Sequence, residues 1–250
     1  MRYFLTLAYR GTRYAGWQRQ PNGRSVQEVL ETALRTILRQ PVALTGCGRT
    51  DAGVHARHYV AHLDVEQAPP VSWLNGLNSL LPEDIAVYTA SPMPPGAHAR
   101  YDAFERSYEY RIGFQKDPFA LDTTWFYPQG RRLDVERMQA VAAVLLAYQA
   151  FFPFCRTHSG VKSYACSITR AQWLPEAGGQ GLTFRISANR FLRGMVRLIV
   201  GACVQVGRGQ LDLDAIRAAL DAQCPLPRSL SAPPQGLALT EVKYPYPVVP

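Results

Sequence analysis

Hydrophobic and polar positions alternate from Arg2 to Tyr9, with Tyr3, Leu5, Leu7 and Tyr9 set against Phe4, Thr6 and Ala8, and this period of two predicts a first strand. After a loop, Ser25 with Glu28 three residues on forms a capping-box signature. Val26, Val29, Leu30, Ala33, Leu34 and Ile37 then recur at helical spacing as far as Pro41. Residues 42–45 are expected to run as a strand into a glycine-rich turn, and residues 59–65 as the strand leaving it, with Tyr59, Ala61, Leu63 and Val65 on one face. A second helix is expected over 73–81, stopped by Pro82, and a strand over 85–90. Ser91-Pro92-Met93-Pro94-Pro95-Gly96 is too rich in proline for a helix or an inner strand, and marks an expected boundary between subdomains 1–98 and 99–250. Beyond it the pattern predicts a strand over 106–114, a helix over 135–148 and strands over 163–173 and 181–188. Helices over 191–206 and 213–222 and a closing strand over 236–244 complete the series. The order β-α-β-β-α-β thus occurs twice, without a repeat in the residues themselves. The fold class this predicts is α+β: split βαβ units with helices on one face of an antiparallel sheet and the other face open, a face that can hold RNA.

With 250 residues and 47% hydrophobic content, the chain can bury a core of one large or two small domains. No apolar run approaches the roughly eighteen residues of a membrane span, and the N-terminus opens into a strand rather than a signal peptide, so the expected location is the cytoplasm. Five cysteines, at 47, 155, 166, 203 and 224, show no Cys-x-x-Cys pair and predict reduced thiols. Cys155, His158 and Cys166 lack a fourth ligand at zinc-like spacing. The net charge of +8, almost all of its positive side arginine, changes the picture more. It implies a polyanionic partner, and the planar guanidinium suits nucleic acid better than a small acidic metabolite. A genome rich in arginine codons would explain the preference for Arg over Lys, but not the net charge.

The chemistry concentrates in Gly46-Cys47-Gly48-Arg49-Thr50-Asp51-Ala52-Gly53-Val54-His55-Ala56. Glycines there allow close approach of a ligand, and Arg49 and Arg57 would keep Asp51 ionised, as a nucleophile or base requires. The competing role for Asp51 is to close the turn, as Asp does beside Gly. Arg190, Arg193 and Arg197 recur at steps of three and four on the predicted 191–206 helix, either as a solvated face or as a phosphate stripe. Arg197 lies among Met195, Ile199 and Val200 and needs a carboxylate partner there. Arg106, Tyr108 and Tyr110 share one strand face, suited to base stacking or to ordinary cross-strand pairing. The first loop sets Arg10, Arg13 and Arg19 among Tyr14 and Trp17, a mixture of phosphate ligands and stacking surfaces. His55, His58 and His62 could be imagined as a metal centre with Asp51 and Asp64. On a strand, however, His55 points away from the other two, which leaves solvated or phosphate-contacting histidines.

These blocks together resemble the TruA family of tRNA pseudouridine synthases over nearly the whole chain. The resemblance is carried by Gly11-Thr12 with Gly16-Trp17-Gln18, Val26-Gln27-Glu28, Gly48 to Ala56, Val60-Ala61-His62 with Asp64, and Ala99-Arg100-Tyr101-Asp102-Ala103. It continues in Arg106-x-Tyr108-x-Tyr110, Ala188-Asn189, Phe191-Leu192, Met195-Val196-Arg197, Ile199-Val200-Gly201, Val206-Gly207 and Gly236-Leu237-x-Leu239. It implies two ferredoxin-like, or RRM-like, subdomains joined into a mixed sheet around a basic cleft, in a homodimer that isomerises uridines 38, 39 and 40 of the tRNA anticodon arm without cofactor or metal. It further implies Asp51 as nucleophile, Tyr108 stacked on the target uracil and Arg197 paired with Asp51. Arg49 joins them in substrate binding, with RNA contacts from Arg10, Arg13, Arg57, His58, Arg190 and Arg193. The chain departs from the family pattern at Arg10, where an acid is usual, at residues 147–154, and at Cys166-Ser167-Ile168.

Overall fold

Strand β1 (Arg2–Tyr9) forms where the alternation predicts it, and its central residues Phe4, Leu5, Thr6 and Leu7 are all buried. In the computed structural model, which describes residues 1–70, 72–156, 160–229 and 231–248, helix α1 spans Val26–Leu38. The Ser25 side chain caps it by accepting from Glu28 N at 3.2 Å, and it ends at Arg39 in the left-handed region. The expected strand at 42–45 shrinks to β2 (Thr45–Gly46). Helix side chains take the backbone groups of Leu44 instead, Glu31 Oε1 accepting from its N–H and Gln27 Nε2 donating to its carbonyl, both at 3.0 Å. A residue bonded in this way has nothing left to give a strand ladder.

Strand β3 (His55–Asp64) starts earlier than expected, directly from the glycine-rich turn, and pairs antiparallel with β1. Helix α2 (Trp73–Leu80) and strand β4 (Ile85–Met93) follow. The proline-rich stretch enters this strand through Pro92, which is tolerated because β4 is the outer neighbour of β1, and a proline facing outward breaks no ladder bond. The closing strand β9 (Leu237–Lys243) pairs parallel with β3 through His55 and Ala56. The first compact unit is accordingly Met1–Glu105 with Ala238–Pro250, and its strand order is β4-β1-β3-β9.

The second unit, Arg106–Leu237, is built on β5 (Glu105–Gly113), β8 (Gly181–Ala188) and β7 (Ile168–Pro175), antiparallel in that order. A two-residue strand, β6 (Trp125–Phe126), lies parallel to β5. Helix α3 (Val135–Leu145) packs on β7 and on α4 (Met195–Gly207), and α5 (Leu213–Ala222) packs on α3. The expected 163–173 strand begins only at Ile168. Residues 147–154, where the family pattern is lost, place Phe151 and Phe154 in the core with no exposure, so this departure is absorbed by packing. The class is α+β with mixed, mostly antiparallel strands, as the pattern predicts.

The predicted 191–206 helix is corrected. Gly194 stands at φ 71°, a left-handed conformation that interrupts an α-helix, and α4 starts only at Met195. Arg190 and Arg193 therefore lie in the loop before the helix and do not share a helical face with Arg197. All five cysteines are thiols. Burial pushes Cys166 up to about 11 and Cys203 up to about 12, so neither offers a thiolate at neutral pH.

His62 couples the first unit to pH. Its Nδ1 accepts from Ala99 N at 3.1 Å, its ring stacks on Phe4 at 5.9 Å, and burial, then Arg2 and His98, lower its pKa to about 4. Between about 6.5 and 4 the unfolded chain binds this proton and the folded chain does not, so stability falls as pH drops through that window and the loss from this group ends below it. Asp64 and Asp102, held low by Arg2 and by Tyr246, lose their contribution at more acid pH. Denaturant melts of wild type and His62→Gln between pH 7 and 4 should show a shallower decline in the variant, with the remainder carried in part by His58, whose pKa burial also lowers.

Candidate functional site

The glycine-rich turn is tied down at nearly every residue. Cys47 N donates to Val60 O at 2.8 Å, and Tyr59 Oη donates to Gly48 O at 2.5 Å. Thr50 bonds Tyr9 Oη through its hydroxyl at 2.9 Å and accepts from Trp17 N at 3.3 Å through its carbonyl. Gly53, at φ 76°, donates to Tyr14 O at 3.2 Å, and His55 Nδ1 accepts from Gly11 N at 3.0 Å. Beneath these bonds the rings of Trp17 and Tyr59 stack at 4.1 Å. Gly46 passes so close to them that a Cβ would sit 2.6 Å from Trp17 Nε1.

Asp51 stands in the middle of this turn, partly exposed, and its backbone carbonyl closes the turn by accepting from Val54 N at 3.1 Å. The backbone of Asp51 thus takes part in closing the turn. Gly16, at φ 103°, runs against the same backbone. A Cβ there would clash with Thr50 O and lie 3.2 Å from the Asp51 carbonyl carbon. The backbone that carries the Asp51 carboxylate is thus constrained from both sides.

Arg49 and Arg57 are exposed, Arg57 on β3. Arg13 reaches Glu83 at 3.3 Å and Asp84 at 3.9 Å, and Arg10 reaches Glu83 at 3.9 Å, so the arginine that replaces the family's acid sits beside an acid from the α2–β4 connection. Asp84 is buried and accepts from Tyr14 Oη at 2.6 Å, and burial, then this bond, pushes the phenol up. The two pairs with Glu83 are exposed and hold their arginines weakly, by about 1 kcal/mol or less. His58 Nδ1 accepts from Val242 N at 3.2 Å. With His55 and His62 also accepting backbone N–H groups at Nδ1, all three histidines have structural bonds. Among the described residues no group of three or more His, Cys, Asp or Glu is placed to hold a metal ion, and His158 lies outside the described residues.

In the second unit Tyr108 lies on β5 with its ring edge-on to Phe191, centroids 5.1 Å apart. Tyr110, two residues on, is fully buried and donates to Pro233 O at 2.7 Å, so it is a core residue and not a second stacking ring. Arg106 donates to Asn189 O at 2.8 Å. Arg197 occupies the first turn of α4, where the helix dipole disfavours a cation. Its Nε donates to Ala232 O at 2.7 Å, and its own carbonyl accepts from Ala232 N at 3.0 Å, which fixes the stem of the side chain.

A family profile described as tRNA pseudouridine synthase matches residues 6–102 and 142–245. The chain belongs to the tRNA pseudouridine synthase family. The chain is 46% identical to tRNA pseudouridine synthase A of Porphyromonas gingivalis over 247 residues, covering 98% of this chain and 97% of that protein. Against tRNA pseudouridine synthase A of Parabacteroides distasonis it is 44% identical, covering 98% and 96%, and against that of Geobacter sulfurreducens 38% identical, covering 96% and 98%. These enzymes are isomerases, and the tied turn bearing Asp51 falls in the first matched segment, Arg197 in the second and Tyr108 between them.

The residues that sequence reasoning missed in this tRNA pseudouridine synthase are the supports. Tyr9 and Tyr59 read as strand residues, and Trp17 as a possible stacking surface for RNA, yet all three are buried under the turn. The signal available was the clustering of Gly11, Gly16, Gly46 and Gly53 with aromatics, since close backbone approach has to be matched by large rings filling the space beside it. Gly16→Ala should therefore displace Thr50 and Asp51. Steady-state kinetics on tRNA should show kcat lowered by about a hundredfold, with KM changed by less than about threefold and a near-native circular dichroism spectrum.

Proposed function

We propose that this protein converts uridine to pseudouridine in the anticodon stem-loop of tRNA, at positions 38, 39 and 40, with Asp51 as the nucleophile, acting in the cytoplasm as a homodimer. The observation that carries the reading is the fixed backbone around Asp51, with bonds to Thr50 on one side and Gly53 on the other. The net charge of +8 suits a polyanionic substrate. Among the described residues no helix is long and apolar enough to cross a membrane.

The reaction breaks the N1–C1′ bond of uridine, turns the base and joins C5 to C1′. The C5 proton leaves and N1 gains one, so the balance closes without an oxidant or a co-substrate. Asp51 reaches this result by attack at C1′, by attack at uracil C6, or by removal of the C2′ proton to give a glycal. Each path needs a charged carboxylate in a fixed place while the detached base is retained. Arg49 and Arg197 take part in substrate binding, and Tyr108 stacks on the uracil. The target base must leave the anticodon stack, and phosphate contacts from Arg10, Arg13, Arg49, Arg57, Arg190 and Arg193 offset that cost, with His58 at the margin.

A non-catalytic RNA chaperone on this scaffold would have no use for a carboxylate held in this way. Asp51→Ala should abolish pseudouridine formation on unmodified tRNA transcripts while leaving tRNA affinity within a few-fold of wild type. Modification that persists in this variant contradicts the reading, and mapping of the wild-type product tests positions 38, 39 and 40.

A further inference from the structure

Residues His98–Asp102 form a turn that is held from below and bare on top. Tyr101 is 75% exposed, and Phe104 just beyond it is 54% exposed. Other aromatic rings of the chain, Phe119 and Tyr88 among them, are exposed too, and what sets this pair apart is the support beneath it. The support here is dense. Asp102 accepts from His98 N and from Tyr246 Oη, both at 2.7 Å. Ala99 donates to His62 Nδ1 at 3.1 Å and accepts from Tyr244 Oη at 2.6 Å. His98 Nδ1 accepts from the backbone of Arg100 at 3.1 Å and of Tyr101 at 3.2 Å.

The two side chains this scaffold presents are a cation and a ring. The Arg100 guanidinium stands 5.8 Å from the Tyr101 ring centroid, and the His98 ring lies against the same Tyr101 ring at 4.2 Å between centroids, tilted by 32°. Tyr101 is thereby held in one orientation before anything binds, so little entropy is lost when a flat partner stacks on it. An aromatic face with an adjoining arginine is the combination that takes an unpaired base together with its phosphate, and the positive charge of the chain favours an anionic partner over a protein surface.

We propose that the His98–Asp102 turn is a second RNA-contacting site, at which Tyr101 stacks on an unpaired base of the substrate and Arg100 takes a neighbouring phosphate. This rests on the reading of the protein as a tRNA-modifying enzyme. The site binds and positions; it does no chemistry.

The test is steady-state and single-turnover kinetics on tRNA at several salt concentrations, for Tyr101→Ala, Tyr101→Trp and Arg100→Ala. Tyr101→Ala should raise KM by about five- to hundredfold, with the single-turnover rate at saturation within twofold of wild type, and Tyr101→Trp should restore KM. Arg100→Ala should weaken binding and lower the slope of log affinity against log salt by about one. Both positions are exposed, and melts of the variants check that the fold is intact. An unchanged KM in Tyr101→Ala overturns the site while leaving the enzyme reading in place, whereas absence of pseudouridine formation by wild type removes that reading first. A Tyr101→Ala variant whose sedimentation changes with KM unaltered would assign the surface to a protein contact, and also overturns the proposal.

Discussion

The constraint on which the site depends is the seating of one glycine-rich turn on a bed of aromatic rings. Trp17 and Tyr59 stack beneath it, Tyr9 and Tyr59 send hydroxyls up to Thr50 and Gly48, and the backbone of the first loop bonds Thr50, Gly53 and His55 from the side. Each of these bonds is worth about 1 kcal/mol. Their effect comes from convergence, because together they leave the backbone of Asp51 one position. The glycines are the other half of the device. At Gly11, Gly16 and Gly46 a Cβ would collide with the partner chain segment, so the close approach and the aromatic bed require each other.

This seating explains why distant parts of the chain are shaped as they are. The β1 ladder with β3 shifts register between Leu7 and Tyr9, beside the turn, and so aims the Tyr9 hydroxyl at Thr50. Helix α1 begins at a capped Ser25 immediately after the loop that carries Trp17, and Val26 N and Gln27 N donate back to Gly16 O and Trp17 O. The first strand, the loop and the first helix thus form one continuous support. In the second unit a comparable economy fixes Arg197, whose side chain and backbone both bond Ala232.

Much of this was legible in the sequence, and what was not has identifiable causes. Strand β8 and helix α5 have the predicted bounds, because strict alternation and strict helical spacing leave no competing pattern. The expected 42–45 strand is short because Glu31 and Gln27, which take the backbone bonds of Leu44, are polar helix residues whose partners are invisible to a local pattern. The helix expected over 191–206 begins later because Gly194 sits in an apolar run, and its positive φ cannot be seen from composition. Arg190 and Arg193 consequently share no helical face with Arg197. Glycines and arginines single out Asp51 as a candidate in the sequence, but its supports leave no such local mark. Buried tyrosines in strands look alike whether their hydroxyls serve the core or a turn, and Tyr110 and Tyr59 differ only in what their hydroxyls reach.

In the proposed mechanism Asp51 acts because its backbone is held at one place, and not merely because an acid is present in the turn. Asp51→Glu keeps the charge and moves the carboxylate outward by one methylene on the same tied backbone. Its single-turnover rate of pseudouridine formation on saturating tRNA is therefore the most direct measurement. The expected result is a fall of at least about a hundredfold at unchanged tRNA affinity. A rate within tenfold of wild type would show that the site tolerates a displaced carboxylate, and would contradict the account.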